Sequence, residues 1–212
     1  MARIKNGLLG GFSGKAGAII GYQFRGKDFI RGLPRISNKA PSEKQLASRA
    51  KFKALQNWRS YLTDFFAVSF KNHTHERSAQ NAAHHFNAKI IIGEYPDYVI
   101  DYPSIVISEG SLPPLANITM ELTDGLLSLT WSKEIADQAK NRDLVALLVL
   151  YENSNWMQGD LAIADRYNGK CNFKLDYKLS HEIAHIYLTV LSNDRTKAAN
   201  SVYLGNLVLT PL

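Results

Sequence analysis

A single cysteine, Cys171, stands among 212 residues, which excludes an intramolecular disulfide and any multi-thiolate zinc or iron–sulfur centre. Long apolar runs are missing too. The longest uncharged stretch, 198–212, has 15 residues and is interrupted by Asn200, Ser201, Gly205, Asn206 and Pro211. A membrane-spanning helix needs roughly 20 apolar residues, so no span is expected. The opening residues lack an unbroken apolar run, because Lys15 and several glycines interrupt them. No signal peptide is expected, and cytoplasmic residence is the resulting assignment. Acidic residues are scarce in the first ninety positions, with four Asp/Glu against sixteen Lys/Arg, a balance of +12. Positions 91–212 reverse it with fifteen against nine, or −6, leaving +6 for the chain. What remains is ordinary globular material, 45% hydrophobic and 21% charged. That is enough chain to bury a core without disulfide or metal staples.

Three zones follow one another. Residues 1–40 hold eight of the fourteen glycines. Apolar-aromatic runs at 18–24 and 29–33 flank Arg25-Gly26-Lys27-Asp28, which predicts a β-hairpin with Gly26 supplying a positive φ. Ser42 and Gln45 form a capping-box pattern at a helix start. Apolar positions Leu46, Ala50, Leu55, Trp58, Leu62, Phe65, Phe66 and Phe70 then recur every three to four residues. One long helix over 42–70 is expected, then a break at 71–74 and a second helix over 75–91. Its inward positions are Ala79, Ala82, Ala83, Phe86 and Ile90. From residue 104 onward the pattern is of strands, at 105–108, 118–122, 126–131, 144–151, 160–165, 171–175, 183–191 and 201–209. Thr123-Asp124-Gly125 and Asn168-Gly169 mark tight hairpin turns. Short strands at this density predict an antiparallel sandwich.

Residues 114–210 resemble a fibronectin type III-like sandwich. Leu127-Ser-Leu-Thr-Trp131 matches its tryptophan-bearing second strand, and His185-Ile-Tyr187-Leu-Thr-Val-Leu-Ser-Asn193 its sixth. Ser201-Val-Tyr203 begins the last strand. The resemblance implies that Trp131 and Tyr187 both lie between the sheets. The chain as a whole resembles an uncharacterised family of Bacteroidetes proteins. The matching residues are Gly10-Gly-Phe-Ser-Gly14-Lys15-Ala-Gly17, Arg25-Gly26, Ile30-Arg31, Pro41, Gln45, Arg49, Phe52 and Ser201-Val-Tyr203-Leu-Gly205. That family brings no activity and no catalytic residues. The expected fold is therefore α+β. An N-terminal β-hairpin and two-helix segment occupies 1–100, and an immunoglobulin/fibronectin type III-like β-sandwich occupies 101–212.

Several motifs suggest chemistry. His181-Glu182-Ile-Ala-His185 spells H-E-x-x-H, which on a helix would hold zinc between two imidazoles beside a water-activating glutamate. The following Ile186-Tyr-Leu-Thr-Val-Leu191 suits a strand instead, where positions four apart stand about 13 Å from each other. A zinc hydrolase is the weakest of three functional readings. Gly10-Gly-Phe-Ser-Gly14-Lys15 lacks phosphate-loop spacing, since position 9 is Leu9 and position 16 is alanine. His73, His75, His84 and His85 cluster in the helical zone, but adjacent histidines point about 100° apart on a helix. Asp97, Asp101 and Glu109 have no spacing that pairs them, and Cys171 has no base beside it. No cofactor and no metal are expected.

The basic zone is more informative. Lys15, Arg25, Lys27, Arg31 and Arg35 interleave with Tyr22 and Phe24, and these seven are the candidate partner-binding residues. Cations can meet phosphates and aromatics can stack on unpaired bases. No helix–turn–helix, zinc-finger or ribonucleoprotein pattern accompanies them. The leading reading is a non-enzymatic interaction or structural protein that binds a protein partner or a second copy of itself. Nucleic-acid binding through the basic half is the alternative.

Overall fold

The computed structural model describes residues 3–4, 10–36, 38–75, 77–133, 139–154, 156–176 and 182–209. It divides into two compact units, Met1–Ser42 and Glu43–Leu212. The boundary expected at residue 100 falls inside the second unit.

The first unit is a four-stranded antiparallel meander, larger than the hairpin expected. Its strands, in sheet order, are β1 (Arg3–Ile4), β2 (Phe12–Ala16), β3 (Ile19–Phe24) and β4 (Lys27–Gly32). Arg25 (φ 51°) and Gly26 (φ 75°) form the two-residue turn between β3 and β4. Both central residues take the positive φ that a type I′ turn requires. The turn closes on the pair Phe24↔Lys27, so β4 starts two residues earlier than its apolar run suggests.

In the second unit, the single helix expected over 42–70 is two, α1 (Glu43–Ser60) and α2 (Thr63–Ser69). Ser60 and Thr63 hydroxyls donate to the carbonyls of Asn57 and Ser60, and the Leu62 N–H donates to Arg59 O. Such short-range bonds compete with the helical ladder. The bend keeps Trp58, Leu62, Phe65, Phe66 and Phe70 in one buried cluster. Ser78 caps α3 (Ala79–Phe86) by accepting the Asn81 N–H. This helix is shorter than the 75–91 expected, because Asn87 ends it. The Asn87 amide donates to Ala83 O (2.9 Å) and Val106 O (2.8 Å), and its oxygen accepts the Val106 N–H (2.8 Å). A hairpin that the helical reading missed follows, β5 (Ile91–Glu94) and β6 (Asp97–Ile100).

Residues 105–108 form no strand. They are pinned instead by Ser201, whose hydroxyl accepts the Ile107 N–H and whose N–H donates to Ser108 O. The remaining strands are β7 (Thr119–Thr123), β8 (Leu126–Thr130), β9 (Leu144–Tyr151), β10 (Met157–Asp165), β11 (Lys170–Lys174), β12 (Ile183–Leu191) and β13 (Val202–Val208). They build two antiparallel sheets, β11-β8-β7 and β10-β9-β12-β13. The protein is thus α+β, with seven sandwich strands among the described residues.

Asn168-Gly169 does not close the hairpin expected of it. Gly169 (φ 69°) ends a 3₁₀ turn over Arg166–Asn168, and β11 leaves to pair with β8 in the opposite sheet. Arg166 anchors this crossing. Its buried guanidinium donates to Pro113 O and Pro114 O and lies 3.7 Å from the Asp143 carboxylate.

The two central strands of the larger sheet, β9 and β12, are buried on both faces. Val145, Leu147, Val149, Ala184, Ile186, Leu188 and Val190 join Leu127, Leu129 and Trp131 in the sandwich core. The alternating positions Ala146, Leu148, Leu150, Tyr187 and Leu191 pack in a second core with Trp58, Phe66 and Phe70. The near-continuous apolar runs of β9 and β12 reflect this double burial. Trp131 lies between the sheets as expected. Tyr187 does not: it faces the helices, and its hydroxyl donates to Tyr102 O (2.7 Å).

Candidate functional site

Register sorts the candidate residues of the first unit. Side chains alternate between the faces of a strand, and directly paired residues share a face. The pairs Lys15↔Ile20, Ile20↔Arg31, Tyr22↔Phe29 and Phe24↔Lys27 therefore set Lys15, Tyr22, Phe24, Lys27 and Arg31 on one face, together with Phe29. Contacts agree with that placement. The Tyr22 and Phe29 rings stack with centroids 5.5 Å apart, and the Arg31 guanidinium lies 5.8 Å from the Tyr22 ring. Arg25, in the turn, covers Phe24 at 5.7 Å. Arg35 lies beyond β4, outside the sheet. The rings are open to solvent, with Tyr22 41%, Phe29 40% and Phe24 58% exposed. Phe29 was not among the seven candidates, although its alternation with Lys27 and Arg31 marks it.

The opposite face is built differently. Asp28, the one acidic residue of the first 42, points there, and its carboxylate occupies the place a Gly11 Cβ would take. Phe12 lies across Gly21, where a Cβ would stand 2.7 Å from its ring and closer still to its carbonyl. Glycine at 21 is what allows that approach. Cations and exposed rings occupy one face, and the carboxylate occupies the other.

The remaining motifs resolve into structural roles. His181 lies outside the described residues. His185 sits on β12, an extended strand, so the helix that H-E-x-x-H chemistry needs does not form over 183–191. Gly14 and Lys15 belong to β2, and a strand follows where a phosphate loop would lead into a helix. His73 pairs with Glu109 (Nε2–Oε2 2.7 Å), and His84 lies against Phe52. Burial, with smaller effects from Arg59 and His85, lowers the His84 pKa. Asp97 is in β6, while Asp101 and Glu109 lie on separate segments after it. Cys171 fills the sandwich core, where burial pushes its thiol up to about 11.

One arrangement escaped the sequence altogether. Tyr102 stacks on His185, the Tyr203 hydroxyl bonds its Nδ1 (2.9 Å) and the Glu152 carboxylate meets its Nε2 (3.4 Å). Burial lowers the His185 pKa and Glu152 partly opposes it. The neutral ring donates from Nε2 to the carboxylate and accepts at Nδ1 from the hydroxyl, since a carboxylate only accepts. Both nitrogens are occupied, which suits a structural histidine. Four residues from distant segments carry no shared local signal.

Among the described residues, no group of three or more His, Cys, Asp or Glu is arranged to hold a metal ion, and no helix is long and apolar enough to cross a membrane.

The family of unknown function DUF6266 matches residues 11–205, and the chain belongs to it. No curated protein matches the chain. Among solved structures, the fn3 domain of human collagen alpha-1(XX) chain is similar at 11% identity and a TM-score of 0.36, covering 50% of this chain and 94% of that one. A myokine structure is similar at 11% identity and a TM-score of 0.33, covering 48% of this chain and all of its own.

Proposed function

We propose that this member of the DUF6266 family is a non-enzymatic interaction or structural protein, and that the cation-bearing face of β2, β3 and β4 is its contact surface. One observation carries the reading: Lys15, Lys27, Arg31, Tyr22, Phe24 and Phe29 share a face from which Asp28, the one acidic residue of the first 42, is turned away. Interspersed signs are the usual pattern of a soluble surface, so this sorting favours an anionic partner. Electrostatic complementarity steers such encounters and selects among partners. The second unit supports the non-enzymatic part, because its buried histidine and cysteine are engaged in packing and hydrogen bonds.

A triple variant, Lys15→Glu/Lys27→Glu/Arg31→Glu, tests the surface. Its control is Lys44→Glu/Arg49→Glu/Lys53→Glu on α1, which changes net charge equally. Retention on an anionic matrix at graded salt should fall far more for the first variant than for the second. Equal losses would mean that net charge, and not this face, governs contact.

A further inference from the structure

Resting on the reading of this face as the contact surface, we infer that its ligand is a single-stranded nucleic acid. Lys27, Phe29 and Arg31 are successive same-face residues of β4, and side chains two apart stand about 7 Å from each other along a strand. They make a cation–ring–cation row. Ile20, Tyr22 and Phe24 form the neighbouring row on β3, and Lys15 stands beyond Ile20 on β2. The face thus holds the Tyr22–Phe29 pair in its middle, Lys15 and Arg31 toward one end, and Phe24 beside Lys27 at the turn.

This composition distinguishes among anionic partners. An acidic protein surface would satisfy Lys15, Lys27 and Arg31 but would set carboxylates against exposed rings, desolvating them without a hydrogen-bond partner. A nucleic-acid duplex offers phosphates, yet its base faces are covered by their own neighbours. A single strand offers both phosphates and open base faces. Each base can stack on an aromatic ring, whatever its identity, while cations track the backbone. Phe24, 58% exposed, and the Tyr22–Phe29 pair are the stacking positions. Lys15, Lys27 and Arg31 are the phosphate contacts, so affinity depends on salt and little on base sequence.

The experiment is a fluorescence-anisotropy titration of the full chain into labelled single-stranded thymidylate and uridylate 20-mers. A duplex of equal length and inorganic polyphosphate serve as competitors. Both single strands should bind, and each should outcompete the duplex and the polyphosphate. Lys15→Gln/Lys27→Gln/Arg31→Gln should lower the slope of log affinity against log salt by about 2. Phe24→Leu/Phe29→Leu, which keeps an apolar strand, should weaken binding about tenfold or more without changing that slope. The strand preference and the salt slope of the parent need no variant and so do not depend on variant folding.

Equal competition by duplex and polyphosphate, with parent-like binding by a folded leucine variant, would overturn the inference while leaving an anion-contact surface in place. Absence of oligonucleotide binding would overturn it as well. If sedimentation then shows salt-sensitive self-association, lost in Lys15→Glu/Lys27→Glu/Arg31→Glu, the partner is a second copy. A charge-reversed variant identical to the parent in both measurements would remove the contact-surface reading too.

Discussion

Tyr102 lies flat against His185, with ring centroids 4.0 Å apart and planes 2° from parallel. The stack holds a neutral imidazole inside the second unit, far in sequence from the residues that cover it. Burial also pushes the Tyr102 hydroxyl up to about 12, with Glu152 and Glu182 adding to the effect. The imidazole and the two phenols around it are thus all shifted toward their uncharged forms.

Stability should fall in mild acid because of His185. Its folded pKa lies below the ordinary 6.5, so the unfolded state binds the proton more readily. The stabilisation is complete above about pH 6.5 and is lost as pH falls toward the folded value. His84 acts in the same direction. Melting temperatures measured from pH 7.5 down to 5 should drop less steeply for His185→Phe than for the parent. Identical acid slopes would refute the assignment.

Trp131 fills the space between the two sheets, and its indole N–H donates to Arg166 O at 2.7 Å. Trp131→Ala should cost about 3–5 kcal/mol. Trp131→Phe keeps much of the volume and should cost less, mainly through the lost indole hydrogen bond to Arg166 O, a carbonyl that still accepts the Gly169 N–H. Urea unfolding of both variants checks the order. A parent-like alanine variant would mean that this layer contributes little.

Asn87 joins the end of α3 to residue 106 through three hydrogen bonds. Asn87→Ala leaves a part-buried N–H and two carbonyls without that partner. The expected loss is about 3 kcal/mol, given 1–3 kcal/mol for a buried group left unsatisfied. Asn87→Asp restores only the acceptor and should fall between the two. Chemical denaturation measures both, and a neutral Asn87→Ala would show that the side chain is dispensable there.

Two glycines of the first unit should respond differently to alanine. A Cβ at Gly21 meets the Phe12 carbonyl and ring, whereas one at Gly32 meets nothing within 4 Å. Gly21→Ala should speed amide hydrogen exchange across β2–β4, and Gly32→Ala should leave it unchanged. Equal exchange in the two variants would contradict the packing of Phe12 on β3.

Local pattern alone determined much of this protein. The β9 and β12 runs are legible as strands because most of their eight and nine residues are β-branched, leucine or aromatic and suit extended, buried backbone. The Arg25-Gly26 and Asp124-Gly125 turns are legible because few residue types tolerate two positive φ angles in succession. Cation and aromatic residues of the first unit were equally visible as types.

Only tertiary structure decided what each run faces. An unbroken apolar strand announces burial on both sides without naming the layers, so Tyr187 went to the helices while Ile186 and Leu188 went to the sandwich. Asn168-Gly169 turns the chain, but the sheet that β11 joins is set by distant partners, β8 and the Pro113 and Pro114 carbonyls that hold Arg166 among them. The helix break at residues 61–62 answers to the cluster of Trp58, Leu62 and Phe66, which periodicity alone could have kept on one rod. The contact face depends on register in the same way. Tyr22↔Phe29 puts Lys27 and Arg31 beside the rings, and a shift of one residue would have placed Asp28 and Ile30 there instead.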